Sequence, residues 1–363
     1  MFPKIRFAFA AALTAAGAFS AAASPKPADP AYEAVYLVSN QAGIAANYDP
    51  ELKNAWGVSH APGGPLWVSS NGRNASTIYD RSTGAKLPLT VRITHGGVPT
   101  GQVYVPQDED GDLDFPIRKS GVNGPSLFIF VTEEGIIEGW NPDVDPDHAQ
   151  LAVDRSAQGA AYKGVAIARE KERLYVADFA NNQVEIFNDR FKQIGAFTDP
   201  DLPNRFAPFN VAHLNGEFYV AFAKREKDGD DEVAGPGLGY VDVFDFSGRL
   251  LKHLIANGPL NAPWGMAVAP QGFGAFSGAL LVGNFGNGRI NAFNRDTGEF
   301  LGVLTTRNGA PIRIDGLWAL DTGPGNRVTF AAGPNDEADG LVGYIQPAST
   351  ALKVVSIAMP APQ

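Results

Sequence analysis

The chain repeats a pattern of short apolar strands six times, and this repeat limits the fold more than any other feature of its 363 residues. Each unit opens on a small residue followed by an apolar strand, as in "WGVSH" from Trp56 and "KGVAI" from Lys163. A second and a third strand follow, for example "RLYVAD" and "QVEIFND", and most units close on a fourth. With the small residue as a marker, the units begin at Gly57, Gly101, Gly164, Asn210, Gly265 and Gly316, roughly 50 residues apart.

Four short strands repeated at this period indicate a β-propeller. One blade cannot bury both of its faces alone, so neighbouring blades must stack around a central channel. We therefore predict an all-β fold, a six-bladed β-propeller with four-stranded antiparallel blades, over residues 34–346.

The closure of the ring follows from a missing strand. The sixth unit has no outer strand of its own after "LVGYIQP", whereas "YLVSNQAG" from Tyr36 matches the pattern of "GVLTTRNG" from Gly302. We expect the N-terminal strand to complete the last blade and so remove an open sheet edge. The alternative is that "LKVVSIA", residues 352–358, takes this place.

The two ends of the chain predict export. Residues 1–23 have Lys4 and Arg6, then an apolar stretch, then small residues, as a cleaved signal peptide does. We expect a flexible lead-in at 24–33, a C-terminal tail at 347–363, no membrane span in the mature protein, and a periplasmic or extracellular monomer.

The absence of cysteine excludes disulfides and thiolate sites, and the net charge of −10 argues against a nucleic-acid partner.

The unit "KGVAIAREKERLYVADFANNQVEIFND" resembles an NHL-type repeat. Together with "NAWGVSHAPGGPLWVSSNG", "FVTEEGIIEGWNP" and "IDGLWAL", it makes nearly the whole chain similar to an uncharacterised family of exported bacterial six-bladed propellers. Some members of that family carry a C-terminal sorting tail, which the ending "SIAMPAPQ" lacks. The resemblance implies a fold and brings no known substrate.

The entrance to the channel is the first place where we expect a ligand. Residues at and just before each marker would lie where the innermost strand begins, and several are aromatic or charged. Aromatic faces beside a few polar groups suit a small molecule or a glycan, whereas the alternative is that the rings only pack between blades. The candidate ligand-binding residues are Trp56, Lys163, Phe209, Asn210, Trp264 and Asp315.

A divalent cation in the channel is the second hypothesis. The sequence is similar to six-bladed hydrolases of the gluconolactonase and diisopropylfluorophosphatase type, and that likeness implies a ring of oxygen ligands for calcium or magnesium. The residues that would form this ring are Glu133, Asp178, Asn210 and Asn284. The alternative is that they are polar turn residues that satisfy backbone groups.

Histidines and acidic loops are weaker signals. His60 and His213 occupy equivalent places in units one and four, so they would face each other across a six-fold ring, either as one general base or as hydrogen-bonded wall residues. The acidic segments 108–114 and 227–235 resemble small calcium loops but lack the full EF-hand pattern, and solvated insertions are the alternative.

The functional hypothesis is a propeller that binds a small molecule, glycan or protein partner at the channel rim. A metal-dependent hydrolase of the lactonase or phosphotriesterase type is the alternative. An adhesion or scaffold role, in which the channel is unused, is the third.

Overall fold

The computed structural model describes residues 31–107, 114–168, 170, 172–227 and 229–348. These residues form a six-bladed β-propeller, as the repeat predicts. The strands of blade one are β3 Ala55–Ser59, β4 Leu66–Ser70, β5 Ala75–Tyr79 and β6 Lys86–Arg92. Those of blade two are β7 Pro99–Tyr104, β10 Phe128–Thr132, β11 Ile136–Trp140 and β12 Gln150–Asp154, with an inserted hairpin of β8 Pro116–Lys119 and β9 Val122–Pro125.

The remaining blades follow the same order from the axis outward. Blade three comprises β13 Tyr162–Ala168, β14 Arg173–Asp178, β15 Gln183–Asn188 and β16 Gln193–Phe197. Blade four comprises β17 Phe206–Leu214, β18 Glu217–Lys224, β19 Tyr240–Phe244 and β20 Leu250–Ala256. Blade five comprises β21 Pro263–Val268, β22 Leu280–Asn284, β23 Ile290–Phe293 and β24 Phe300–Val303. Short 3-10 helices lie at Asn71–Arg73, Ser156–Gln158 and Gly274–Phe276.

Blade six joins the two ends of the described chain. It comprises β25 Leu317–Thr322, β26 Val328–Ala332, β27 Leu341–Pro347 and β1 Tyr32–Ser39, with β2 Asn47–Tyr48 added parallel to β1. β1 pairs antiparallel with β27 from Tyr32 opposite Pro347 to Ser39 opposite Leu341. The predicted closure by the N-terminal strand is therefore confirmed, and the competing segment 352–358 lies outside the described residues.

Only part of the predicted N-terminal and C-terminal segments lies within the described residues. β1 begins at Tyr32, so Tyr32 and Glu33 are paired strand residues and not part of a flexible lead-in. The predicted signal peptide at 1–23 and the tail beyond Ala348 lie outside the described residues. In the described part of the chain, no helix is long and apolar enough to cross a membrane.

Adjacent inner strands approach closely at the markers. A Cβ atom on Gly57 would lie 2.5 Å from the carbonyl oxygen of Thr100, and one on Gly101 would lie 2.9 Å from the amide nitrogen of Val165. Only a residue without a Cβ fits such contacts. The marker glycines therefore recur because six inner strands converge on one axis.

Candidate functional site

Every inner strand breaks its pairing with the second strand near its marker. In blade one the register shifts between Ala55 and Val58, and in blade three between Tyr162 and Gly164. The other four blades show the same kind of shift. Such a β-bulge leaves one residue of the strand without a partner on the neighbouring strand and changes the direction of its side chain. The residues left out include Trp56, Thr100, Lys163, Phe209, Trp264 and Trp318.

The aromatic members of this set fill the channel with one packed layer. Trp56 stacks on Trp318 with ring centroids 3.6 Å apart, and Trp264 meets both rings edge-on at 6.4 and 6.2 Å. Phe209 lies 5.8 Å from Trp318. Trp56 is 1% exposed and Trp318 is 0% exposed. The open aromatic rim expected from the sequence is therefore absent here, because the rings cover one another.

The marker residue of the sixth unit is Ala319, and the prediction of Gly316 is wrong. Gly265 lies against the carbonyl oxygen of Trp318 and the amide nitrogen of Leu320, so Ala319 is the equivalent of Gly265 and Trp318 is the equivalent of Trp264. Asp315 consequently lies before the inner strand, exposed, where one of its oxygens accepts a hydrogen bond from the amide of Asn335. It takes no part in the aromatic layer.

Lys163 carries a buried charge against this layer. Its Nζ lies 5.3 Å from the centre of the Trp56 ring and 2.5 Å from Oε1 of Glu133, and the side chain is 2% exposed. Glu133 also accepts a hydrogen bond from Asn71 at 3.0 Å. Burial alone would lower the pKa of Lys163, but the carboxylates around it, Glu133 above all, outweigh burial and raise the pKa. Lys163 therefore stays charged.

A loop of blade four covers this charge. The amide of Glu226 donates to the carbonyl oxygen of Asp231, and Arg225 forms an isolated bridge with Glu232, so the segment folds back on itself. This fold brings Oδ1 of Asp231 to 4.0 Å from Lys163. Burial raises the pKa of Glu232 to about 7. Part of the predicted acidic loop 227–235 is thus a cover over the channel end, and not only a solvated insertion.

Each of the four proposed metal ligands has partners within the protein. Asp178 accepts hydrogen bonds from the amides of Ala161 and Asn181 at 3.1 and 3.2 Å. Asn284 accepts from the amide of Asn261 at 3.1 Å and donates to the carbonyl of Pro259 at 2.8 Å. These contacts use the side chains to satisfy turn and linker backbone.

Asn210 and Glu133 contact other groups of the protein through hydrogen bonds and an ion pair. Asn210 donates to the carbonyl of Trp264 at 2.8 Å and accepts from the amide of Val211, and Glu133 pairs with Lys163. These contacts agree with the alternative, that the four side chains serve other partners within the protein, and the calcium or magnesium ring stays a prediction.

An open cavity lies on the other side of the aromatic layer. It has a volume of about 310 Å³ and is lined by the later residues of all six inner strands. The lining comprises residues 57–60, 101–104, 165–167, 210–214 and 319–321, with Trp264 and Met266. Ligand cavities in proteins begin at about this volume. Asn210 and Trp264 are the predicted site residues that line it.

Among the described residues, three buried polar atoms on lining residues have no hydrogen-bond partner. They are Oγ of Ser59, Nε2 of His213 and Nε1 of Trp264. A buried polar group left unpaired costs about 1–3 kcal/mol, so such groups normally meet a ligand or water. Because all three residues line one cavity, that cavity is the candidate site.

Two imidazole–carboxylate pairs lie at the mouth of this cavity. His60 Nε2 is 3.4 Å from Oδ2 of Asp321, and His213 Nε2 is 3.3 Å from Oε1 of Glu170 without the alignment of a hydrogen bond. His60 and His213 come from blades one and four, which stand opposite in a ring of six. The predicted equivalence of the two histidines holds, and each one pairs with a carboxylate of the neighbouring blade.

The first pair makes stability depend on pH. The hydrogen bond to Asp321 raises the pKa of His60 above the ordinary histidine value of 6.5. A raised histidine pKa adds stability that is complete below pH 6.5 and is lost as the pH rises through the shifted value. We expect wild type to exceed Asp321→Asn in unfolding free energy by up to about 1 kcal/mol at pH near 5.5, and by less at pH near 8.5. Urea denaturation at both pH values measures this, and an equal difference at both would contradict the pairing.

Sequence reasoning missed Trp318, Asp321 and Glu170. The pattern "LWAL" repeats the Trp–small–apolar order of "AWGV" and could have revealed Trp318. Asp321 and Glu170 have no local signal, because each meets its histidine only when neighbouring blades pack side by side.

The fold and this site define a six-bladed β-propeller whose channel is closed by an aromatic layer at one end and open as a cavity at the other. The chain belongs to the family of the uncharacterised proteins R648 and L690 of Acanthamoeba polyphaga mimivirus. It is 31% identical to R648 over 88% of this chain and 82% of that protein, and 32% identical to L690 over 88% and 87%. No family model matches the chain. These relatives are viral, so they do not support the expected family of exported bacterial proteins.

Solved structures share the fold at low sequence identity. A streptogramin B lyase superposes with a TM-score of 0.51 at 13% identity, covering 87% of this chain and 97% of that chain. A luciferin-regenerating enzyme gives 0.52 at 12% identity, covering 83% and 94%. A protein of unknown function from Bacteroides thetaiotaomicron gives 0.54 at 10% identity, covering 88% and 77%. At these identities the likeness shows the fold alone.

Proposed function

We propose that this propeller binds a small organic molecule in the channel cavity. The observation that carries the proposal is one cavity that all six blades build, whose lining includes Ser59, His213 and Trp264, each with a buried polar atom that has no hydrogen-bond partner among the described residues. A closed-ended cavity of about 310 Å³ suits a compact molecule better than a protein partner or a long glycan.

The lining suggests the chemistry of the ligand. Much of the wall is aliphatic, including Val165, Val211 and Met266, so an apolar body would be covered. Ser59, which can donate or accept, and the indole N–H of Trp264, which can only donate, favour a ligand with hydrogen-bond acceptors. The imidazole–carboxylate pairs of His60 and His213 would surround the outer end.

The proposal can be tested without knowing the ligand. A library of small organic fragments is screened by saturation-transfer NMR, and affinities of the hits are measured by calorimetry. Ser59→Ala removes one hydroxyl, and His213→Phe removes the ring nitrogens while it keeps the ring contacts with Phe218 and Phe246. We expect each substitution to weaken binding roughly tenfold, the effect of one lost hydrogen bond.

His148→Phe is the matched control. His148 is half-exposed in the loop between β11 and β12 of blade two. It pairs with Asp145 and does not line the cavity. Its replacement should leave affinity unchanged. Hits that bind all the variants equally, or a screen without hits, would contradict binding in the cavity.

A further inference from the structure

A second group of chemically active side chains lies at the outer edge of blade four, far along the sheet from the channel. Asp199 and Asp201 belong to the linker between β16 and β17, and His253 lies on the outermost strand β20. The three residues offer ligand atoms that all lie within 4.8 Å of one another. Asp242 on β19 is the cross-strand neighbour of His253.

All three carboxylates lie within 3.9 Å of a ring nitrogen of His253. His253 Nδ1 is 3.0 Å from Oδ2 of Asp199 and 3.5 Å from Oδ1 of Asp242. His253 Nε2 is 3.9 Å from Oδ2 of Asp201. Asp199 and Asp242 are buried, whereas Asp201 and His253 are exposed, so the group is open to solvent on one side.

The two buried carboxylates are only partly satisfied by the described residues. Oδ2 of Asp199 and both side-chain oxygens of Asp242 are buried without a hydrogen-bond partner. Among the described residues, no lysine or arginine forms an ion pair with Asp199, Asp201 or Asp242, and carboxylates in this situation need a counter-charge.

Blade one shows how the same linker is neutralised elsewhere. Its linker "DPELKN" matches "DPDLPN", and in both the first Asp accepts from the amide two residues on, at 3.0 Å in Asp49 and 2.9 Å in Asp199. The remaining Asp49 contacts are Nζ of Lys86 at 2.9 Å and the hydroxyl of Tyr79 at 2.6 Å. Blade four presents a carboxylate and an imidazole to the linker where blade one presents a lysine and a tyrosine.

We propose that Asp199, Asp242 and His253 bind one divalent transition-metal ion, such as zinc, with Asp201 at the open side. Carboxylate oxygens together with an imidazole nitrogen form a donor set that zinc uses in proteins. The imidazole distinguishes this set from the all-oxygen sites of calcium and magnesium. The ion takes the place of the missing lysine and ties the linker to the two outer strands of blade four.

Metal titration of the full chain tests this assignment. After treatment with a chelator, the protein is titrated by calorimetry with zinc, manganese, calcium and magnesium chlorides, and its thermal unfolding is followed with each ion. We expect one zinc ion to bind per chain and to raise the melting temperature, because an ion that binds only the folded state stabilises it. Calcium and magnesium should bind at least about tenfold more weakly.

Two substitutions locate the site. Asp242→Asn and His253→Asn should each weaken zinc binding at least about tenfold. His253 is 51% exposed, so its replacement leaves the core intact. Asp242→Asn removes a buried like-charge contact, and its metal-free melting temperature should equal or exceed that of wild type, which separates lost binding from lost folding.

His148→Asn is the matched control, since His148 also pairs with a buried aspartate but that aspartate already has Lys119 as a counter-charge. This variant should bind zinc as wild type does. The proposal is overturned if zinc does not bind with a stoichiometry of one, if both site variants retain wild-type affinity, or if calcium binds as tightly as zinc.

Discussion

A chain that begins at Asn40, and therefore lacks β1, is expected to lose the cooperative unfolding transition of the propeller. β1 buries Tyr32, Leu37 and Val38. Tyr32 stacks on Phe276 of blade five with ring centroids 5.9 Å apart, and Leu37 and Val38 belong to a cluster that includes residues of blades one and six. Three such side chains at about 1.5–3 kcal/mol each amount to roughly 5–9 kcal/mol, which is comparable with the whole stability of a typical domain.

Urea denaturation followed by circular dichroism measures this loss. The control is a chain that begins at Ala31, which keeps every residue of β1 and should retain its transition. The truncated chain would also expose the edge of β27, so we expect it to self-associate on size exclusion. An unfolding midpoint equal to that of the control would show that β1 does not close the ring.

Trp318→Ala is expected to destabilise the protein by about 3–5 kcal/mol, the usual cost of truncating a core aromatic residue. Trp318 is sandwiched between Trp56 at 3.6 Å and Phe285 at 4.0 Å, and its Nε1 donates to Oδ1 of Asn54 at 2.9 Å. Removing the ring would leave a void on the axis that six rigid strands cannot collapse to fill. Equilibrium unfolding in urea gives the difference directly.

Trp318→Phe is the matched variant for this position. It keeps a ring in the stack and removes the hydrogen bond to Asn54, so roughly 1–2 kcal/mol should be lost. Trp56→Ala and Trp264→Ala should also destabilise the fold, because both rings are covered by the same layer. A cost below about 1 kcal/mol for Trp318→Ala would contradict a packed layer and would restore the interpretation of an open aromatic rim.

The fold was predictable because its information is local and repeated. Each unit contains its own strand and turn residues, and the missing outer strand of unit six has a visible match near Tyr36. The residue at which the inner strand of unit six begins was not predictable in the same way. Gly316 has φ +62°, and a Cβ there would lie 2.0 Å from the carbonyl oxygen of Gly333, so this glycine serves a turn and not the inner strand.

The candidate site was predicted less well, because side-chain direction depends on the bulges. In a regular strand, side chains alternate between the two faces of the sheet, so the sequence places Trp56 and Trp264 on one of these faces. A shift in register at both residues instead directs their rings across the channel axis. The same shift separates Lys163 from the cavity and places it under the loop of blade four. None of these outcomes is encoded in the neighbouring residues.

Sequence alone was sufficient for the number of blades, the order of strands within each blade and the closure by β1, since these follow from periodicity and from the need to bury strand faces. Tertiary structure decided which end of the channel is open, which carboxylates meet His60 and His213, and that Asp199, Asp242 and His253 lie close together at an outer edge. The physical reason is that those contacts join residues from different strands, and mostly from different blades. Their distances are set by how the sheets stack, a property of the ring as a whole.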